Sequence, residues 1–210
     1  KIAQKLVATI YESLKGIPKI EVKGNIWSGN TNGDIGITEI NSMKDVEKIT
    51  IAERYYTTPT HMGLEYSGQM LKKMKGEKKL LILITDGIPN HFKNGTHLQS
   101  THYNKVCKKS LQKVLGITPN VLCIVVSEFN SDTAVSIDDD LKNNPQMYSI
   151  LSKYNDTLTK MINGQNNGFK EFTKIFGTKR IIHVNDMDQA FVKVVKQFRN
   201  FMQYNAMNFF

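Results

Sequence analysis

Leu80-Leu81-Ile82-Leu83-Ile84-Thr85-Asp86-Gly87-Ile88-Pro89 reads as a strand covered on both faces that stops on a carboxylate. An unbroken apolar run leaves no polar face for solvent, and Asp-Gly-x-Pro supplies the turn chemistry that ends it. Asp86 therefore belongs at the carboxyl edge of an open sheet. In doubly wound α/β folds ligands bind along that edge, and an acidic side chain there suits a hard divalent cation. The plainer alternative is an Asp that only forms a turn.

The rest of the chain alternates around this strand. Ile2, Leu6, Val7, Ile10 and Leu14 recur at helical spacing and Gly16-Ile17-Pro18 ends that helix. Ile20, Val22 and Ile26 alternate as a half-buried strand interrupted by Gly24, with a turn-rich loop from Ser28 to Asp34 and further short strands expected over 35–40 and 47–52. Met62, Tyr66, Met70 and Met74 recur every four residues, which predicts a helix with this stripe toward the core; it reads as packing, not as a metal box. A polar stretch runs to residue 101 and leads into a helix carrying Tyr103, Val106, Cys107, Leu111, Val114 and Leu115. Val121 to Val126 is a second fully apolar strand, and an insertion at about 129–170 with helical segments between about 146 and 175 precedes the short strand Ile181 to Val184. Asn185 or Asp186 then caps a last helix lined by Met187, Phe191, Val194, Val195, Phe198 and Met202. Strands alternating with helices predict a single α/β domain over 1–210, a doubly wound and mostly parallel sheet flanked by helices.

Composition narrows the class. A chain of 210 residues with 40% hydrophobic and 22% charged content can bury a substantial core. No apolar stretch reaches the ~18 residues of a membrane span. Cys107 in a helical pattern and Cys123 in a strand pattern predict two buried free thiols and a cytoplasmic setting, so the sequons at Asn94 and Asn155 mark only exposed loops. The net charge of +9 comes from lysines spread over several elements, which read as solvated helix faces. A continuous basic groove with interleaved aromatics would speak for nucleic acid, and that association stands behind the other readings.

Thr60-His61-Met62-Gly63 opening a helix, the strand ending in Thr85-Asp86-Gly87-Ile88-Pro89, a further helix and the Val121–Val126 strand together resemble a von Willebrand factor A domain. The likeness covers most of the chain. It is similar to the intracellular branch that contains a cobaltochelatase subunit and the nitric-oxide-reductase activation protein; Ile175-Phe176-Gly177 followed by Val184-Asn185-Asp186 fits the ending of that branch. The resemblance implies a metal-ion-dependent adhesion site at the carboxyl edge, built by three loops. Thr60 would supply the second-loop hydroxyl, with Thr58 or Thr57 as substitutes, and Asp86 the third-loop carboxylate. The ion would be Mg2+, or Mn2+ or Ca2+, with one position open to a carboxylate of a partner. His61, Gly87, Asn90 and Glu128 would form the partner-binding edge. The first loop, Asp-x-Ser-x-Ser, does not occur in the chain, so the resemblance implies an N-terminally incomplete domain lacking the first, central strand.

Other chemistries fit less well. His61, His91, His97 and His102 lack Cys partners and regular ligand spacing and read as loop histidines, His183 as a satisfied core histidine, and Asp138 to Asp140 as a solvated acidic loop. No nucleophile elbow, phosphate loop or carboxylate pair is present, so the chain is not expected to be an enzyme by itself. What the resemblance implies is an adaptor that docks on a hexameric AAA+ ATPase of the chelatase or MoxR type and couples hydrolysis in that partner to metal insertion or to remodelling of a protein client. The alternative is a metal-independent structural or interaction module, for example of viral origin.

Overall fold

The structure, a computed structural model, describes residues 2–14, 17–30, 32–46, 57–85, 88–90, 92–93, 96–97, 100–127, 145–184, 192 and 194–196. In chain order the elements are α1 (Ile2–Leu14), β1 (Gly24–Gly29), β2 (Ile35–Ile40), α2 (Met43–Val46), α3 (Thr60–Lys73), β3 (Leu81–Thr85), β4 (Phe92–Lys93), β5 (Thr96–His97), α4 (Ser100–Leu115), β6 (Val121–Val126), α5 (Pro145–Phe176), a 3-10 turn (Thr178–Arg180) and β7 (Ile181–Val184).

The three apolar runs form the heart of the molecule. β3, β6 and β7 make a parallel sheet in that order, with Leu83 opposite Cys123 and Cys123 opposite Ile181. Successive side chains on a strand leave from opposite faces, so a strand apolar throughout needs cover on both. Leu83, Val121, Cys123 and Val125 enter one core with Leu64 and Leu71 of α3, Tyr103, Cys107, Leu111 and Val114 of α4, and Phe172, Ile175 and Phe176 of α5. Ile124, Val126, Ile182 and Val184 enter another with Leu6 of α1 and Val194, while Ile82, Ile84 and Leu122 pack against it. The result is an α/β arrangement with helices on both faces of a parallel sheet.

Two further, antiparallel pairs stand apart from this sheet among the described residues. β1 and β2 form an antiparallel hairpin of their own, from Gly24 opposite Ile40 to Gly29 opposite Ile35. Gly24 begins the strand instead of interrupting it, and Ile20 and Val22 precede the paired segment. Asn30 makes the turn: its Oδ1 accepts the N–H groups of Asn32 at 3.0 Å and Asp34 at 2.9 Å, and Gly33 takes a φ of 95°. The polar stretch before residue 101 also contains a two-residue hairpin, β4 with β5. The strand expected over 47–52 and most of the final helix lie outside the described residues; 192 and 194–196 are helical.

The Met stripe of α3 does not form its buried face. That face is Thr60, Gly63, Leu64, Ser67, Gly68 and Leu71, while Met62, Tyr66 and Met70 are half-buried and Met74, just past the end of the helix, packs against the core. Small residues bring the α3 backbone close to its neighbours. A Cβ on Gly63 would lie 2.7 Å from Cδ2 of Trp27, so only glycine leaves room for that indole. The part of the expected insertion that lies among the described residues belongs to one helix: α5 runs for 32 residues from Pro145 to Phe176, and Gly177, with a φ of 76° and its N–H bonded to the Thr173 carbonyl (2.9 Å), follows its end.

Candidate functional site

Asn90, after β3, meets the loop before α3. Pro59, buried beside Thr60, precedes the helix with no side-chain capping bond of its own. Asn90 holds the loop before α3: its Oδ1 accepts the Thr58 N–H at 2.6 Å and its own N–H donates to the Thr58 carbonyl at 3.2 Å. Thr60 donates its N–H (2.7 Å) and its hydroxyl (3.3 Å) to that same carbonyl. Thr60 is 0% exposed. Thr58, Thr60, His61 and Asn90 thus lie together where the loop before α3 meets the segment after β3.

A residue that the sequence reading assigned to the core completes this corner. The phenol oxygen of Tyr103, fully buried on α4, lies 2.8 Å from Nδ1 of His61, and the two rings meet edge to face at 5.3 Å. Tyr103 of α4 thus holds His61 in the first turn of α3. Burial drives its phenol far above the ordinary range, and burial likewise pushes the nearby Cys107 thiol up to about 12. Neither group ionises in neutral solution. The signal for this contact is Tyr103 at a buried position of an amphipathic helix, which periodicity alone cannot distinguish from packing.

Glu65, one turn further along α3, ties the corner to α4. Its Oε1 accepts from Lys113 Nζ at 2.8 Å and from Ser110 Oγ at 3.0 Å. The Lys113 bond is the largest influence holding the carboxyl below its usual range.

At the carboxyl ends of β6 and β7 stands a second pair. Ser127 Oγ and His183 Nε2 are 2.6 Å apart, and the His183 ring stacks on Phe169 at 4.6 Å. Ser127 is 3% exposed, so the pair closes the edge instead of presenting a nucleophile. The satisfied histidine is legible in the apolar strand around it; its serine partner, 56 residues away in sequence, is not.

Asp86, Gly87 and Glu128, together with His91 and Asp138 to Asp140, lie outside the described residues. Of the other histidines, His102 is exposed at the start of α4 and His97 is on β5. Among the described residues no group of three or more His, Cys, Asp or Glu side chains could hold a metal. The described oxygens at the corner are neutral, and a hard cation also calls for carboxylate oxygen. Only Asp86, of the residues assigned to the ion, can supply that charge.

Both cysteines are buried and free. Among the described residues no helix is long and apolar enough to cross a membrane. No family model matches this chain, and no curated protein or solved structure matches it.

Proposed function

We propose that this chain is a non-catalytic protein-interaction module of von Willebrand factor A type, docking through the edge where α3 begins and β3 ends. The observation that supports the reading is the convergence of Thr58, Thr60, His61 and Asn90 at that edge, held by the paired Asn90–Thr58 bonds. In this reading Thr60 and Asp86 hold a divalent cation, which supplies a positive centre for a partner carboxylate. Asn90 fixes the loop that carries Thr60, and Tyr103 fixes the helix start behind it. The partner is an AAA+ ATPase hexamer of the chelatase or MoxR type, which performs the hydrolysis while this chain presents the protein client.

The test is co-sedimentation with a purified MoxR-type ATPase in Mg2+ and in chelator. Binding that is lost in chelator and in Asp86→Ala supports metal-assisted docking. Binding that survives both assigns a metal-independent interaction module, and a steep loss of DNA binding with salt in parallel would favour the basic, nucleic-acid reading.

A further inference from the structure

In a parallel sheet the helix before each strand carries the chain back to the strand's amino end, so helix ends and strand starts gather there. α3 ends at Lys73 and β3 begins at Leu81, α4 ends at Leu115 and β6 begins at Val121, and α5 ends at Phe176 and β7 begins at Ile181. Two of these turns are tied together. The Leu81 N–H donates to the Asn120 carbonyl at 3.0 Å, and the Lys79 carbonyl accepts from the Thr118 hydroxyl and from Asn120 Nδ2 (3.3 Å).

This end of the sheet is strongly basic. Lys72-Lys73-Met74-Lys75-Gly76-Glu77-Lys78-Lys79 carries five lysines against one acid. Leu81, just after these lysines, is opposite Val121, and Ile181, just after Lys179 and Arg180, is opposite Cys123. The two basic turns therefore enter the sheet on either side of β6, two strand spacings or about 10 Å apart. Lys72, Lys73, Lys75, Lys78 and Lys179 are exposed. Among the described residues no carboxylate pairs with Lys72, Lys73, Lys75, Lys179 or Arg180, whereas Lys113 and Lys174 are taken up by Glu65 and Glu171. Complementing the helix dipoles does not account for this charge. Three helix ends contribute about −0.5 each, and with Glu77 they offset fewer than half of the seven positive charges.

The charge is confined to a strip. The hairpin begins at the same end of α3, and there the signs are mixed: Lys23 pairs with Glu21 at 3.2 Å, and Glu39 accepts the Tyr66 hydroxyl at 2.6 Å. A bilayer surface would meet that mixed half as well. Within the basic turns Met74 packs against the core and Leu80 and Ile181 are half-buried, which leaves no apolar wedge for lipid and no aromatic platform for bases. A strip running from the end of α3 past β3 to β7 matches an extended chain of about six residues at ~3.3 Å each.

We propose that this strip binds an extended acidic segment of a partner polypeptide, at the end of the molecule opposite the start of α3 and independently of any metal there. Lysine suits such a ligand, because a point charge on a flexible stem accepts carboxylates in many geometries. The strip then selects charge density over a fixed sequence.

The experiment is fluorescence anisotropy of a labelled Asp-Glu repeat peptide with the intact chain, in chelator so that no metal takes part. Binding should weaken with salt, and Lys75→Gln combined with Lys179→Gln should weaken it roughly fivefold at an unchanged melting temperature. Lys72→Gln with Lys75→Gln, a second pair within the strip, should act alike. Lys153→Gln with Lys160→Gln removes the same charge from exposed positions of α5 and should leave binding unchanged. The proposal is overturned if the peptide does not bind, or if the α5 pair weakens binding as much as the strip pairs, since net charge then suffices. Tighter binding of phosphatidylserine vesicles or of a short DNA duplex, at equal charge concentration, overturns it in favour of a membrane or a nucleic acid.

Discussion

Asn90 and Thr58 clasp each other by two hydrogen bonds, the Thr58 N–H on Asn90 Oδ1 at 2.6 Å and the Asn90 N–H on the Thr58 carbonyl at 3.2 Å. Asn90→Ala leaves the Thr58 amide without its acceptor and should cost about 1–2 kcal/mol in urea unfolding. Asn90→Asp keeps the acceptor and should recover most of that loss. Equal losses in the two variants would show that the side-chain bond does not hold the loop.

Tyr103→Phe removes one oxygen and keeps the ring. Because that oxygen bonds the His61 ring in a buried setting, the variant should be destabilised by about 1–3 kcal/mol, with little change in far-ultraviolet dichroism. The His61 imidazole resonances should shift in the same variant. An unchanged midpoint would show that the Tyr103–His61 bond does not hold the corner.

Two glycines on α3 should behave in opposite ways. Gly63→Ala drives a Cβ to 2.7 Å from the Trp27 ring and should cost about 1–3 kcal/mol, accompanied by a change in tryptophan fluorescence. Gly68→Ala meets Val114 at 3.4 Å and Ile117 at 3.5 Å, ordinary contact, so the better helix former should be neutral or stabilising by up to about 1 kcal/mol.

Glu65 gives a pH dependence whose sign is set by its lowered carboxyl pKa. A group depressed in the folded state contributes above its unfolded value of 4.5 and loses that contribution as pH falls through the folded value. With its side chain 34% exposed the pair is screened, and its worth is at most about 1 kcal/mol. The stability difference between the native chain and Glu65→Gln should therefore shrink below pH 4.5 and in high salt. A difference that widens on acidification would contradict the assignment.

Cys107 and Cys123 are both raised by burial and should resist a thiol reagent in the native state at mildly alkaline pH. Both should react rapidly once denaturant is added. Fast native labelling of either would mean that its core opens locally.

How much of this was legible follows from the range of each interaction. Strands β3 and β6 announce themselves, because a strand buried on both faces must be apolar throughout. The cover on each side follows from alternation. The α3 stripe was misread because methionines advertise packing by hydrophobicity, whereas Gly63 and Gly68 pack by allowing close approach, which no periodicity reports. The candidate corner was half legible. Thr60 and Asn90 flank recognisable turn and helix-start signals, but the His61–Tyr103 and Ser127–His183 pairs join residues far apart in sequence. Their chemistry looks ordinary until the fold brings them together.

The separate pairing of β1 with β2 and of β3 with β6 and β7 also bears on how the molecule assembles. The hairpin closes over a short stretch of chain, whereas β3, β6 and β7 recruit partners from Leu81, Val121 and Ile181, so their pairing carries a large loop-closure cost. Among the described residues no hydrogen-bond ladder runs from the hairpin to the parallel sheet, and α1 and α3 couple the two by side-chain packing and the Asn25–Ser67 bond. The hairpin should then be able to open while the parallel sheet stays intact.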